Sequence, residues 1–240
     1  MSHAGLIERV DVDRLQAQIF ASPAQASAAA AAAAADELRR LIAARGRAGV
    51  IFTGEPTHAA LLDSLVAEPA VEWTRVVGFH LGEYLGLDET APGSQRQLLL
   101  ERLVCRVPMA EFHGLRGEAA NPTAVCANYA ARLASRPPDL ALLDIGPRGR
   151  LALIDPAACD FDDPAAVRLV ALDEPPRRAL SLTIPTVMKC PRLIALALGP
   201  GRQGAVRAAL AGMIGPACPA SILRRHPAAL LFLDRDSAPR

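Results

Sequence analysis

Aromatic residues and net charge are both scarce in this sequence. Aromatics make up 4% of the 240 residues, and the formal net charge is +1 at pH 7. Nucleic-acid binding normally needs a basic surface, and single-stranded bases need rings on which to stack. We therefore expect no nucleic-acid partner.

Long apolar runs and a leader-like start are also missing. The first residues include Glu8, Arg9, Asp11 and Asp13, and no uncharged apolar stretch reaches the length of a membrane span. We expect a cytoplasmic protein that does not contact membranes.

The cysteines lack the spacing of a metal site or a disulfide framework. They are odd in number, widely spread and free of C-x-x-C pairs: Cys105, Cys126, Cys159, Cys190 and Cys218. The histidines show no metal-ligand spacing either. We expect buried free thiols, no metal and no cofactor.

What the chain does have is length and apolar content. With 51% hydrophobic residues it can bury one large core, so we expect a single domain over residues 1–240, with residues 1–20 as an N-terminal arm or helix. The alanine run Ala28–Ala35 follows Ser22-Pro23, a helix start signal, and predicts a helix that ends near Arg45-Gly46.

Strand and helix patterns then alternate. Five short apolar runs are typical of strands buried on both faces: Gly49–Thr53, Arg75–Leu81, Leu140–Ile145, Leu193–Leu198 and Ala229–Leu233. Helical patterns occur at His58–Val66, Ser94–Leu103, Thr123–Ser135, Ala165–Val170 and Gly204–Ala211. This order predicts an α/β fold, a three-layer α/β/α arrangement with a mainly parallel Rossmann-like sheet, with ligands at the carboxyl ends of its strands.

Several segments at and beyond these strand ends resemble one family. Residues 79–87 read F-H-L-G-E-Y-L-G-L, against a family signature F-H-L-D-E-Y-L-G-L, and Leu140–Pro156 is similar to L-A-L-L-G-I-G-x-[ND]-G-H-[IL]-A-F-N-[DE]-P. The segments Asp160–Asp173, Ala179–Pro185 and Pro216–Asp234 also match. The chain thus resembles the glucosamine-6-phosphate deaminase/isomerase family, a carbohydrate-metabolism group whose scaffold 6-phosphogluconolactonases share.

The resemblance implies a reaction that needs a base at carbon. In the family, the ring of an amino-sugar phosphate opens, a proton moves between C2 and C1, and ammonia leaves to give fructose 6-phosphate. The base is the Asp of D-E-Y, where this chain has Gly82. Glu83 is a candidate substitute, although adjacent strand residues usually point to opposite sides. The alternative is that Glu83 is a structural hydrogen-bonding group.

Ring opening in the family uses the His of D-G-H, because imidazole can both give and accept a proton near neutral pH. Here Arg148 stands for the Asp or Asn and Arg150 for the His. A guanidinium binds anions but is a poor proton shuttle. Asp155 matches the acidic residue that orients the His, and we expect it to pair with Arg150 or, as the alternative, to act in catalysis.

The phosphate-binding positions are altered as well. The family's T-G-G or T-G-S loop corresponds here to Thr53-Gly54-Glu55-Pro56-Thr57, in which Glu55 adds negative charge and Pro56 lacks an N–H. Together with Gly82, the substrate-contact or phosphate-contact candidates are Thr53, Gly54, Thr57, Arg148, Arg150, Arg177, Arg178 and Arg202. The chain also lacks a segment after Arg178 that covers the sugar site in relatives.

Three functions follow as hypotheses. The first is a divergent family member with lost or altered catalysis that still binds a phosphorylated sugar or another small anion. The alternatives are an active deaminase/isomerase that uses Glu83 and Asp155, and a 6-phosphogluconolactonase-like hydrolase. The last also needs the missing His, and its D-E-R element does not match Glu83-Tyr84. Formation of a homo-oligomer is left open.

Overall fold

The computed structural model describes residues 4–239 and contains eleven strands within that range. In chain order they are β1 (Leu6–Val12), β2 (Leu15–Phe20), β3 (Ala48–Phe52), β4 (Val76–His80), β5 (Gly82–Tyr84), β6 (Glu111–His113), β7 (Leu140–Asp144), β8 (Val167–Ala171), β9 (Arg178–Leu182), β10 (Arg192–Ala197) and β11 (Ala229–Asp234). The α-helices are α1 (Pro23–Arg45), α2 (Ala59–Ala67), α3 (Gln95–Leu99), α4 (Pro122–Ser135), α5 (Ile184–Met188) and α6 (Gln203–Ala211).

Eight of the strands form the main sheet in the order β1-β2-β11-β10-β7-β3-β4-β6. Every neighbouring pair is parallel except β1 and β2. The predicted α/β fold with a mainly parallel Rossmann-like sheet is confirmed. None of the helices in residues 4–239 has the combination of length and apolarity that a bilayer crossing demands.

The central strands are apolar on both faces because a core lies on each side of the sheet. Along β7, Leu140 and Leu142 contact the core on one side, while Ala141 and Leu143 contact the core on the other. This alternation is the period-two pattern of a strand. It explains why β7 is buried at all five positions.

The alanine run packs against one face of the sheet as α1. Its alanines lie in the same core as Phe52, Ile194 and Phe232, and their small side chains allow a close approach of helix and sheet. The Ser22 hydroxyl accepts a hydrogen bond from the Gln25 N–H, and the helix ends at Gly46 with a left-handed backbone at φ 74°. Both predicted ends of this helix are therefore confirmed.

Two secondary-structure predictions were wrong. The N-terminal segment forms the hairpin of β1 and β2 instead of an arm or helix, because alternate residues such as Leu15 and Ala17 are buried where β2 pairs with β11. Residues 1–3 of that segment lie outside the described residues. The helix expected at Ala165–Val170 is strand β8, which bonds antiparallel to β9.

A second, three-stranded sheet continues from the end of β4. The chain passes through Leu81 into β5, which pairs antiparallel with β9, and β9 pairs with β8. Gly82 lies opposite Ser181, and Glu83 lies opposite Leu180. The proline-rich stretch before Arg178 is the turn of the β8–β9 hairpin. The family-like signature therefore begins at the end of β4 in the main sheet and continues through β5 in the small sheet.

Candidate functional site

The space next to Gly82 is already filled. A Cβ atom built on Gly82 would lie 2.9 Å from Leu153 Cδ1 and 3.1 Å from the Leu180 carbonyl oxygen. Leu153 is 1% exposed. The position that the resemblance assigns to the carbon base therefore has no proton acceptor, and an apolar side chain occupies its surroundings.

Glu83 is fully buried, and its carboxylate is held by four donors. Oε1 accepts hydrogen bonds from the N–H groups of Tyr84 at 2.7 Å and Gln95 at 3.1 Å. Oε2 accepts from the Ser94 hydroxyl at 2.7 Å and the Arg96 N–H at 2.8 Å. Burial raises the pKa of Glu83, and these hydrogen bonds lower it. The carboxylate ties β5 to the first turn of α3.

The loop after β3 is constrained at its glycine. A Cβ atom on Gly54 would lie 2.1 Å from the Gln95 carbonyl oxygen, so no larger residue fits without movement of the backbone. Thr53 is buried, and its hydroxyl accepts the N–H of Glu55 at 3.4 Å. Pro56 then begins a short 3₁₀ turn, Pro56–His58. This close packing brings the Glu55 side chain towards α3.

Glu55 is paired with Arg150. Its Oε1 lies 3.3 Å from Arg150 Nη2 and accepts a hydrogen bond of 2.9 Å from the Gln95 side-chain amide. Burial is the main cause that raises the pKa of Glu55, and the charge of Asp144 adds to it, while Arg150, Gln95 and Arg202 lower it. The arginine that replaces the family's His is therefore engaged with a carboxylate of the phosphate-loop position.

A second buried carboxylate, Asp144, ends strand β7. It is 5% exposed, accepts a hydrogen bond of 2.7 Å from the Thr57 hydroxyl, and lies 3.9 Å from Arg202 Nη2. Burial raises the pKa of Asp144, against the opposing effects of Thr57, Arg202 and Arg150. We call Glu55, Asp144, Arg150 and Arg202 the carboxylate–arginine cluster.

Asp155 lies in a different contact from the one expected. Its Oδ1 is 3.7 Å from Arg148 Nη2, and its Oδ2 accepts the Asp173 N–H at 3.0 Å. Arg148 also donates to the Asp173 carboxylate at 2.6 Å. The prediction that Asp155 pairs with Arg150 was wrong. The Pro147–Gly149 turn separates the two arginines, so that Arg148 contacts Asp155 and Arg150 contacts Glu55.

The remaining arginines do not join the cluster. Arg177 and Arg178 are exposed in the turn and first residue that connect β8 to β9. Across residues 4–239, neither side chain makes a described ion pair with a carboxylate. Of the five arginines considered as anion ligands, the fold brings Arg150 and Arg202 together and leaves Arg148, Arg177 and Arg178 outside.

Two buried histidines are near the site but are not placed to shuttle protons. His58 and His80 are both 0% exposed, and burial lowers the pKa of each to about 3. His58 Nδ1 lies 3.9 Å from the Asp144 carboxylate. Both imidazoles are therefore neutral at physiological pH and shielded from a ligand in solvent.

The family assignment follows from sequence comparison. Residues 21–232 match the family model described as glucosamine-6-phosphate isomerases/6-phosphogluconolactonase. A glucosamine-6-phosphate deaminase of Cellvibrio japonicus is 32% identical over 207 residues, which are 78% of this chain and 78% of that relative. The chain belongs to this family.

Solved structures agree on the fold. A monomeric glucosamine-6-phosphate deaminase superposes with a TM-score of 0.83 at 22% identity, covering 92% of this chain and 98% of that one. A 6-phosphogluconolactonase from Trypanosoma cruzi gives a TM-score of 0.82 at 16% identity, covering 96% and 98%. At these identities the likeness establishes the scaffold that both activities of the family share.

Sequence reasoning missed three residues of the site. Asp144 stands where the family motif has glycine, and the aligned letters L-A-L-L-D-I-G already showed the difference. Gln95 and Tyr84 carried no signal of this kind, because their roles depend on α3 and β5 meeting the Glu55 loop. The Tyr84 hydroxyl contacts Gln95 and Arg150, while burial and the charge of Glu55 raise its pKa.

Two sizeable cavities lie apart from the carboxylate–arginine cluster. One, of about 710 Å³, is lined by residues that include Asp88, Arg96 and Glu118. The other, of about 600 Å³, lies at the amino-terminal ends of the strands and is lined by residues that include Arg47 and Lys189. Neither lining includes a member of the cluster.

Proposed function

We propose that this member of the family does not catalyse the deaminase/isomerase reaction and that it binds a phosphorylated sugar or another small anion at the carboxyl edge of its sheet. The observation that carries the loss of catalysis is Gly82 itself, which has no side chain to accept a proton. Its neighbours, the Leu153 side chain and the Leu180 carbonyl oxygen, supply no ionisable group in its place. Proton transfer at carbon requires a base.

The neighbouring carboxylates do not replace the base. Both oxygens of Glu83 accept hydrogen bonds, so abstracting a proton would require breaking the contacts that hold α3. We propose that Glu83 is a positioning residue. Asp155 is 4% exposed and contacts Arg148 and the Asp173 N–H, and we propose the same for it.

The histidine that opens the sugar ring in the family is also replaced, by Arg150. Arg150 carries a guanidinium group, which is a poor proton shuttle, and it already pairs with Glu55. A proton-transfer group typically contributes about 10²–10⁴ in rate. Loss of both the base and the ring-opening residue therefore removes most of the catalytic advantage that the family reaction needs.

Anion binding is supported by what remains at the edge. The Nε atoms of Arg150 and Arg202 are buried and have no hydrogen-bond partner within the described part of the chain. Thr53, Gly54 and Thr57 belong to the loop after β3, which also contains Glu55. Guanidinium groups with spare donors suit phosphate oxygens. We propose a cytoplasmic, cofactor-independent role in which these residues hold the anion.

The test is an activity and binding panel on the purified chain. Glucosamine 6-phosphate should release no ammonia or fructose 6-phosphate above the buffer rate, and 6-phosphogluconolactone should not hydrolyse faster than in buffer. The Cellvibrio japonicus relative serves as positive control for the first assay. A thermal-shift series with sugar phosphates should raise the melting temperature. Turnover that Glu83→Gln or Asp155→Asn abolishes would establish the active alternative instead.

A further inference from the structure

The carboxylate–arginine cluster is electrically balanced without a ligand. Two guanidinium groups face one half-buried and one buried carboxylate, with Arg150 paired to Glu55 and Arg202 nearest to Asp144. A dianion that entered this site would meet as much negative as positive charge. The Coulomb attraction that normally draws phosphate to paired arginines would largely cancel.

The donors that could hold an anion are also taken by these carboxylates. The Thr57 hydroxyl donates to Asp144, and the Gln95 amide and Arg150 both donate to Glu55. Hydroxyl, amide and guanidinium groups are the donors that proteins commonly offer to phosphate oxygens. Glu55 and Asp144 thus accept the hydrogen bonds that a bound anion would otherwise accept.

The contacts are not those of a closed structural salt bridge. The shortest charged contact between Arg202 and Asp144 is 3.9 Å, which is too long for a hydrogen bond. The buried Nε atoms of Arg150 and Arg202 make no hydrogen bond within residues 4–239. An arginine in a satisfied pair normally uses its forked donors on the carboxylate. The two arginines therefore keep binding capacity that the carboxylates do not use.

We infer that Glu55 and Asp144 act as internal anions, and that the site accepts an external anion only together with protons that neutralise one or both of these carboxylates. This inference rests on the proposed anion-binding function. It adds to that function a coupling between ligand charge and proton uptake.

The surroundings fix the sign of the coupling. The groups that face the two carboxylates are the hydroxyls of Thr57 and Tyr84, the neutral His58, the Gln95 amide and the two arginines. With the carboxylates ionised the cluster has no net charge, and with both protonated it carries two positive charges. Anion affinity should therefore rise as pH falls. Burial already raises the pKa of both carboxyls, which brings their protonation closer to neutral pH.

The experiment is calorimetric titration of the full chain with sulfate, which remains a dianion over the range used. We expect affinity to increase by at least roughly tenfold between about pH 8 and about pH 5.5, the effect of linkage worth one pKa unit. Repeating the titration in buffers of different ionisation enthalpy should show net proton uptake on sulfate binding.

The double variant Glu55→Gln, Asp144→Asn should bind sulfate at about pH 8 as tightly as the unaltered chain does at low pH, with no proton uptake. Asp173→Asn is the matched control, because this carboxylate pairs with Arg148 outside the cluster. It should keep the full pH dependence. The single variants Glu55→Gln and Asp144→Asn, checked by circular dichroism, replace the double variant if that chain does not fold.

Equal sulfate affinity at both pH values without proton uptake would overturn the coupling and leave the anion site standing. If the sulfate affinity of the folded double variant still depends on pH, the coupling is also wrong, because groups other than Glu55 and Asp144 would then be responsible. If neither the unaltered chain nor any folded variant binds sulfate or glucosamine 6-phosphate at either pH, the proposed anion-binding function itself is wrong.

Discussion

Glu83 on one side, and Glu55 with Asp144 on the other, lie close together at this edge of the fold, and their hydrogen-bond partners differ. Glu83 is surrounded by three backbone N–H groups and a serine hydroxyl, all within hydrogen-bond distance. Glu55 and Asp144 instead depend on flexible side chains, and the closest charged contact of Asp144 is long. The first arrangement belongs to the scaffold, and the second can change its charge and its contacts.

The difference shows which part of the family signature has a structural role in this chain. Glu83 holds the start of α3 through its four hydrogen bonds, whereas the neighbouring Gly82 has no side chain that could accept one. A residue that satisfies buried backbone donors is costly to replace.

The scaffold role of Glu83 can be tested most directly by replacing this residue. Replacement by alanine leaves three buried N–H groups and the Ser94 hydroxyl without their acceptor, and unpaired buried polar groups each cost about 1–3 kcal/mol. We expect the free energy of unfolding to fall by about 3–5 kcal/mol in urea denaturation. The matched control is Ser94→Ala, which removes one donor and should cost less. A loss below about 1 kcal/mol would contradict the scaffold role.

The next largest effect is expected at Gly82. Gly82→Asp places a side chain against Leu153 and should cost about 1–3 kcal/mol of stability through overpacking. Leu153→Ala in the same chain should recover part of that loss, as urea denaturation of the single and double variants would show. With Arg150→His added to Gly82→Asp alone, ammonia release should still be absent. Turnover in that variant would mean that the space beside residue 82 is less restricted than its contacts indicate.

A smaller effect concerns the pH dependence of stability. The folded-state pKa of Asp144 is raised, so between its ordinary and raised values the folded chain binds more protons than the unfolded chain. The free energy of unfolding should therefore fall as pH rises through the raised value. Relative to Asp144→Asn, the unaltered chain should gain stability as the pH is lowered from about 8 to about 5. Parallel stability profiles for the two chains would rule this out.

The smallest effect is expected at Arg148, outside the cluster. Its side chain is 55% exposed and pairs with the exposed Asp173 at 2.6 Å, while the buried Asp155 lies farther away, at 3.7 Å. Exposed ion pairs contribute about 0–1 kcal/mol, so Arg148→Ala should change the free energy of unfolding by less than about 1 kcal/mol. Sulfate affinity should also be unchanged. A marked loss of affinity would extend the anion site to this arginine.

The fold was predictable because its signals are local. Ser22 and Gly46 mark the ends of α1, and the apolar runs of β3, β7, β10 and β11 are strands in a sheet buried on both faces. Strand β8 was missed because Ala165–Val170 is short and apolar at every position except Arg168, and such a run suits a helix as well as a strand. The segment is a strand because it pairs with β9, and a pattern within the segment does not show that pairing.

The site was less predictable, because side-chain partners depend on where turns direct the chain. Arg148 and Arg150 are two residues apart, yet they pair with carboxylates from different parts of the molecule. Arg148 has a left-handed backbone at φ 56°, which spacing alone did not reveal. The replacements at Gly82 and Arg150 were visible in the sequence, whereas the contacts of Gly82 with Leu153 and Leu180 required the structure.

Leu153 gives position 82 an apolar neighbour that can move. It stands where the family motif has phenylalanine, so a bulky apolar side chain at this position is compatible with the family's aspartate at position 82. An aspartate there would meet the tip of the leucine side chain, which a change of rotamer can relieve, whereas truncating the leucine would open a cavity at a site 1% exposed and cost about 2–5 kcal/mol. A return of aspartate at position 82 is therefore open to a single substitution during evolution, without a prior change at Leu153.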